Sequence, residues 1–189
     1  GPLSIDLTGD IRVRNGTITV QQPGSQPVEL RNIRLDADIK SLNQPISYDI
    51  QGELADAGGT VKVEGTVTPL HDGRFRPDKL KAEMKAALQK LKLDSAGSLI
   101  PVKGMPRPVG GVADVTLDDS VSGLKDVAMK GQLSASDMVL AGGPLGKDRP
   151  RMENVSLDFT ARRQGDAVRV ENFVLASPMA DAQMSGLLP

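Results

Sequence analysis

The sequence predicts an all-β protein: an elongated, curved antiparallel sheet built from repeated strand modules, with one or two short helices. Three observations predict it. Apolar and polar residues alternate through most of the chain, as strands with one buried face require. Glycine and proline, 20 and 13 of 189 residues, fall between the alternating runs and punctuate them. A strand pattern near the start recurs 122 residues later.

The first run places Ile11, Val13, Ile18 and Val20 in alternation with Arg12, Arg14, Thr17 and Thr19. Asn15-Gly16 lies between its halves, and that dipeptide favours the positive φ angles of a type I′ turn. A two-residue hairpin is expected there, pairing Val13 with Ile18 and Ile11 with Val20. Val28 to Ile39 is the next strand. Its alternation slips by one at Arg31-Asn32 and resumes with Ile33 and Leu35, which is the mark of a β-bulge. Ile46, Tyr48 and Ile50 form another strand, Gly58-Gly59 a turn, and Val61, Val63 and Val67 a strand interrupted at Gly65. Pro69 to Pro77 is a loop. Residues 78–93 fit two periods: Leu80, Met84, Leu88 and Leu91 make a helical stripe, whereas Leu80, Ala82, Met84, Ala86 and Leu88 alternate. Propensity alone favours helix. Strands resume at Gly111–Leu117, Val127–Leu133 and Met138–Leu140, then at Val155–Ala161, Ala167–Leu175 and Asp181–Leu187, with Asp118-Asp119 read as a turn.

Composition excludes several functions. Lys plus Arg is 23 and Asp plus Glu is 24, a formal net charge of −1, which does not suit a phosphate backbone. Aromatic residues are 2% of the chain, too few for a base-stacking platform. There is one histidine and no cysteine, so Cys/His zinc sites, thiol nucleophiles and disulfides are excluded. No cofactor, metal site or enzymatic activity is expected. Gly1-Pro2-Leu3 resembles the scar of a cleaved expression tag, and residues 1–4 are set aside from fold reasoning. The chain has no run of 18 apolar residues that would cross a membrane as a helix.

The repeat sets the organisation. Gly9-Asp10-Ile11-Arg12-Val13-Arg14-Asn15 matches Gly131-Gln132-Leu133-Ser134-Ala135-Ser136-Asp137. Leu30 to Asp36 matches Met152 to Asp158 at the same offset, and Val61 to Gly65 matches Ala182 to Gly186 at 121. Residues 5–68 are thus a first module, 69–130 a spacer and 131–188 a second module.

These residues carry a family resemblance. The G-x-[IL]-x-[VA]-x-[ND] starts at Gly9 and Gly131, the Asn-[IV]-x-Leu-Asp strands at Asn32 and Asn154, the strands ending at Gly65 and Gly186, and the spacer Leu91-Lys92-Leu93-Asp94 through Pro101 to Gly110-Gly111 resemble the AsmA-like family, which includes the TamB relatives. The likeness covers most of residues 5–188. It implies a repeating β-groove lipid-transfer protein of the Gram-negative envelope, periplasmic and anchored to the inner membrane, carrying phospholipid acyl chains between inner and outer membranes. It also implies that residues 79–90 form a strand, with a short helix near 94–100.

A groove needs a smooth apolar lining. The residues expected to supply it are Ile11, Val13, Ile18, Val20, Ile33, Leu35, Ile46, Tyr48, Val61 and Val63, with Leu133, Val155, Leu157, Val170 and Met184 from the second module. About a dozen strands spaced ~4.8 Å apart would span roughly 55 Å. Lys79, Lys81 and Lys85 belong to the one basic cluster, whose ordinary reading is a solvated face; contact with anionic lipid headgroups is the functional alternative. The competing reading is a structural or assembly module with a closed apolar core that binds a partner protein through its sheet edges. His71, in a His-Asp-Gly loop without a matching nucleophile, is expected to be a solvated turn residue. Asp36 and Asp38 belong to the polar face. Gly142 to Lys147 lacks the spacing of a phosphate loop.

Overall fold

A computed structural model describes residues 7–21, 27–96, 106–123, 126–165 and 167–188. Twelve strands follow one another: β1 (Gly9–Val20), β2 (Val28–Ile39), β3 (Ile46–Leu54), β4 (Thr60–Thr68), β5 (Leu70–His71), β6 (Arg74–Phe75), β7 (Lys81–Lys92), β8 (Arg107–Ser122), β9 (Asp126–Ala141), β10 (Arg151–Gln164), β11 (Ala167–Ala176) and β12 (Asp181–Leu188). Ten of them form one antiparallel sheet in the order β1-β2-β3-β4-β7-β8-β9-β10-β11-β12, and β5 and β6 form a small hairpin of their own. The sheet does not close: β1 pairs only with β2, and β12 only with β11. At ~4.8 Å per interval it spans roughly 43 Å. Among the described residues one α-helix, α1 (Leu93–Ala96), follows β7.

Alternation predicted the faces well and the connections less well. The hairpin expected at Asn15-Gly16 does not form. β1 runs through it as one strand, with Val13 opposite Leu35, Gly16 opposite Ile33 and Ile18 opposite Leu30. Asn15 does take positive φ, at 57°, but it makes a bulge instead of a turn. Pairing with β2 puts Ile11, Val13 and Ile18 on the same side as the hairpin would have done, so the apolar pattern could not separate the two arrangements. Met138–Leu140 is likewise no separate strand: β9 continues through Asp137, whose φ is 54°. Asp118-Asp119 is not a turn but lies within β8. Gly65 does not interrupt β4.

Other expectations hold. Asn32 has φ of 54°, and the β2–β3 register breaks between Arg31 and Arg34, as a bulge there requires. Residues 81–92 are strand, because both neighbours, β4 and β8, pair along them. The helix begins at Leu93, and residues 97–100 lie outside the described ones. The repeat islands fall on β1 and β9, on β2 and β10, and on β4 and β12.

Bulge residues interrupt β1, β2, β7, β8 and β9 at Asn15, Asn32, Lys90, Gly111 and Asp137. Three are secured by polar neighbours. Asn32 donates to Glu53 at 3.0 Å, the Lys90 backbone N–H donates to Asp114 at 2.7 Å, and Arg151 donates to Asp137 at 2.6 Å. Such bulges bend the strands that carry them.

The packing is thin. The largest buried cluster joins Leu93 of α1 to Ala113, Ala135, Met152 and Val155, with Leu133, Met138, Leu140 and Leu175 against it. Among the described residues no large side chain is fully buried. The accessible surface is 12,668 Å², whereas a compact monomer of 20.0 kDa exposes roughly 8,700 Å². A sheet with little packed against it contributes to that excess.

Candidate functional site

Opposed residues in an antiparallel pair share a face, so the register assembles each face strand by strand. One row crosses all ten strands: Val13, Leu35, Ile50, Val63, Ala86, Leu117, Gly131, Phe159, Phe173 and Met184. Every member is apolar or glycine. The neighbouring row runs Ile11, Ala37, Tyr48, Gly65, Met84, Asp119, Met129, Ala161, Val170 and Gly186. A third runs Gly52, Val61, Leu88, Val115, Leu133, Leu157, Leu175 and Ala182.

The residues expected to line a groove all have register positions on this apolar face. Ile11, Tyr48 and Val170 are in one row, Val13, Leu35, Val63 and Met184 in another, and Val61, Leu133 and Leu157 in the third. Ile18 pairs with Leu30, Val20 with Val28, Ile46 with Val67, and Val155 with Ala135, while Ile33 lies opposite Gly16. Ile18 and Met184 on the edge strands are 52% and 57% exposed, whereas Ile33 of β2 and Val155 of β10 are 6% and 8% exposed. Among the described residues, α1 is the one helix set against this face, through Leu93.

Two glycines let aromatic rings lie flat across the face. A Cβ at Gly65 would collide with the Glu83 carbonyl oxygen and stand 2.7 Å from the Tyr48 hydroxyl. A Cβ at Gly131 would collide with the Phe159 ring. Tyr48 thus crosses β4, and Phe159 crosses β9. Sequence reasoning missed Phe159, Phe173, Leu117 and Met129, although the alternation within each of their own strands already pointed to them.

It also missed Asp119. The residue sits on the apolar face between Met84 of β7 and Met129 of β9. Its Oδ1 is buried and has no hydrogen-bond partner among the described residues. Burial pushes its pKa up, because a shielded carboxylate loses solvation that its acid form needs less.

The opposite face is ionic. Arg12, Asp36, Asp49, Glu64, Lys85, Asp118, Lys130 and Thr160 form one row across it. Together with the row of Asp10, Asp38, Ser47, Thr66, Glu83, Ser120 and Ala128, they border a hollow of about 850 Å³, whose lining also takes in Tyr48, Met84, Asp119 and Met129. Lys62 bonds Glu64 at 2.8 Å, and that hydrogen bond holds the Glu64 carboxyl below its usual range. Arg14 pairs with Asp36 at 2.6 Å. All these groups are solvated, so each pair contributes little to stability.

The candidate headgroup lysines are not brought to the apolar face. Lys81 lies opposite Thr68 and Ser122, and Lys85 opposite Glu64 and Asp118, both on the ionic side. Lys79 ends a short 3-10 turn (Pro77–Lys79) and is exposed. His71 is exposed at the end of β5, 3.6 Å from Asp72 in the β5–β6 turn, rather than in the turn itself. Among the described residues no cluster of His, Asp or Glu side chains could hold a metal ion. Compared with known proteins, the chain matches no family model, no curated protein and no solved structure.

Proposed function

We propose that this chain is a non-enzymatic lipid carrier that holds phospholipid acyl chains along the apolar face of its sheet. The observation that carries the reading is the row from Val13 to Met184, ten strands wide and without a polar side chain. An antiparallel sheet ordinarily buries such a face against a second layer. Here, among the described residues, α1 reaches it at one place, and Ile11, Val13, Ile18 and Met184 stay exposed. Acyl chains supply the missing layer, each buried methylene contributing roughly 0.8 kcal/mol. The resemblance to the AsmA-like family points to the same class. It adds transport between the inner and outer membranes of a Gram-negative envelope, in a periplasmic protein anchored to the inner membrane.

Lipid co-purifying with the protein, measured by native mass spectrometry, tests this. The wild type is expected to carry phospholipid. Val63→Asp, placed mid-row, is expected to lose it while keeping the β-sheet circular dichroism spectrum. A lipid-free wild type that unfolds on Val63→Asp would instead indicate a closed core.

A second reading has its own observation. β1 and β12 are open edges, and Ile11, Ile18, Met184 and Leu187 on them are exposed. Unpaired edges of this kind accept a partner strand. Association that depends on concentration and is abolished by proline at Gln183 in β12 would favour an assembly role.

A further inference from the structure

The apolar face carries one acidic side chain, midway across the strand order and near the end of β8, and the lipid reading gives it no task. Asp119 is on β8, with five strands of the sheet on one side and four on the other. Its cross-strand neighbours are Met84 and Met129, and Leu117 and Val121 flank it along β8 on the same face. Ala82 and Ala86 on β7, and Val127 and Gly131 on β9, complete the surround. None of these can donate a hydrogen bond from its side chain. Oδ1 is buried and unpartnered among the described residues. Lys85 and Lys130 are close in sequence register, but they flank Asp118 on the other side of the sheet.

A buried acceptor without a donor is costly, and natural proteins seldom keep one without use. The residue as a whole is part exposed, but Oδ1 is enclosed, and the methionine, leucine, valine and alanine side chains around it offer it no donor. The donor must then arrive with whatever covers the face. A divalent cation is a poor fit, because a single carboxylate supplies too few oxygen ligands. An anionic headgroup would be repelled. A primary ammonium group fits: it carries the opposite charge and three N–H donors, and a charge-assisted bond is about twice as strong as a neutral one.

The next charged side chain on this face is Arg163 of β10, opposite Val127 and two strands from β8. That places it roughly 10 Å to the side. Its Nε donates to the Gly165 carbonyl at 2.9 Å, and the side chain is exposed. One acid and one guanidinium at this end of the face complement a headgroup that carries an amine and a phosphodiester.

We infer that Asp119 is the polar anchor of the apolar face and selects phospholipids with a primary amine headgroup, as in phosphatidylethanolamine. The inference rests on the proposed lipid-carrier reading and adds to it a headgroup preference and a fixed position. A quaternary headgroup such as phosphatidylcholine has the charge but no N–H to donate, so it is the discriminating competitor.

The experiment incubates the protein with vesicles of equal phosphatidylethanolamine and phosphatidylcholine, then quantifies bound lipid by mass spectrometry. Wild type is expected to enrich phosphatidylethanolamine about tenfold. Asp119→Asn and Asp119→Leu are expected to bind the same total lipid in a ratio near that of the vesicles. Both replacements suit a partly buried position, and circular dichroism verifies their fold. Glu64→Gln on the ionic face is expected to leave the enrichment unchanged, which separates Asp119 from general attraction between amines and acidic surface. Lipid bound by wild type without enrichment, or enrichment that survives both Asp119 variants, overturns the anchor and leaves the carrier reading standing. No lipid bound by wild type overturns both.

Discussion

β1 and β9 carry the same sequence pattern and live in different surroundings. Gly9, Ile11, Val13 and Asn15 correspond to Gly131, Leu133, Ala135 and Asp137. Both series end on a residue with positive φ, 57° and 54°. The local backbone is therefore repeated. Burial is not: Val13 is 39% exposed and Ala135 is 5%. β1 has one neighbour, whereas β9 has two and lies under the cluster centred on Leu93. The pattern within a strand decides which residues share a face. The strands on either side decide how much free energy that face contributes.

The sharpest way to break this comparison is to place a charge at the matched pair. Ala135→Asp buries a carboxylate among Ala113, Met152 and Val155. It is expected to cost roughly 4 kcal/mol and to prevent folding if the chain is marginally stable. Val13→Asp puts the same group at an exposed edge and is expected to cost about 1 kcal/mol, mostly lost strand preference and contact. Urea denaturation followed by circular dichroism measures both. Equal costs would mean that β1 is as enclosed as β9 in solution, by a partner strand or a second layer.

The comparison also explains what was legible in the sequence. Period-2 alternation placed the whole set of expected lining residues on one face, because parity along a strand needs no knowledge of its neighbours. Connections were harder. The stretch from Ile11 to Val20 keeps one apolar face both as a hairpin and as a single bulged strand. The choice depends on whether β2 is available along the full length. Residues 81–92 matched helix and strand periods alike, and only pairing with β4 and β8 separates them. Asp118-Asp119 looked like a break because two acids in succession resemble a turn. The pairing of β8 with β7 and β9 carries the strand through them, so Asp118 and Asp119 face opposite sides. That misplacement hid the one acid on the apolar face. Whether the face is covered was not legible at all, since it depends on what packs there and not on the strand's own residues.

A milder test uses the glycines that open each repeat. A Cβ at Gly9 meets nothing within 4 Å, but one at Gly131 runs into the Phe159 ring. Gly9→Ala is expected to change stability by less than about 0.5 kcal/mol. Gly131→Ala forces Phe159 off its position across β9 and is expected to cost about 2 kcal/mol. Pairing Gly131→Ala with Phe159→Leu separates the causes. If the collision is responsible, the double variant is less destabilised than the sum of the singles.

The smallest expected difference lies at the bulges themselves, where the two regions are most alike. Asn15 and Asp137 both occupy the left-handed region, in which a side chain is strained and glycine is not. Asn15→Gly relieves that strain at an exposed position, and it is expected to stabilise by about 0.5 kcal/mol after the added chain entropy is counted. Asp137→Gly relieves the same strain but removes the carboxylate that Arg151 holds at 2.6 Å. Exposed pairs of this kind contribute roughly 0.2–1 kcal/mol, so gain and loss nearly cancel. Raising the salt concentration should narrow the gap between the two variants, because it screens the Arg151–Asp137 pair and leaves the backbone strain untouched. Thermal melts at low and high salt measure this. A gap that does not respond to salt would assign the difference between β1 and β9 to their backbones after all, against the matching φ angles.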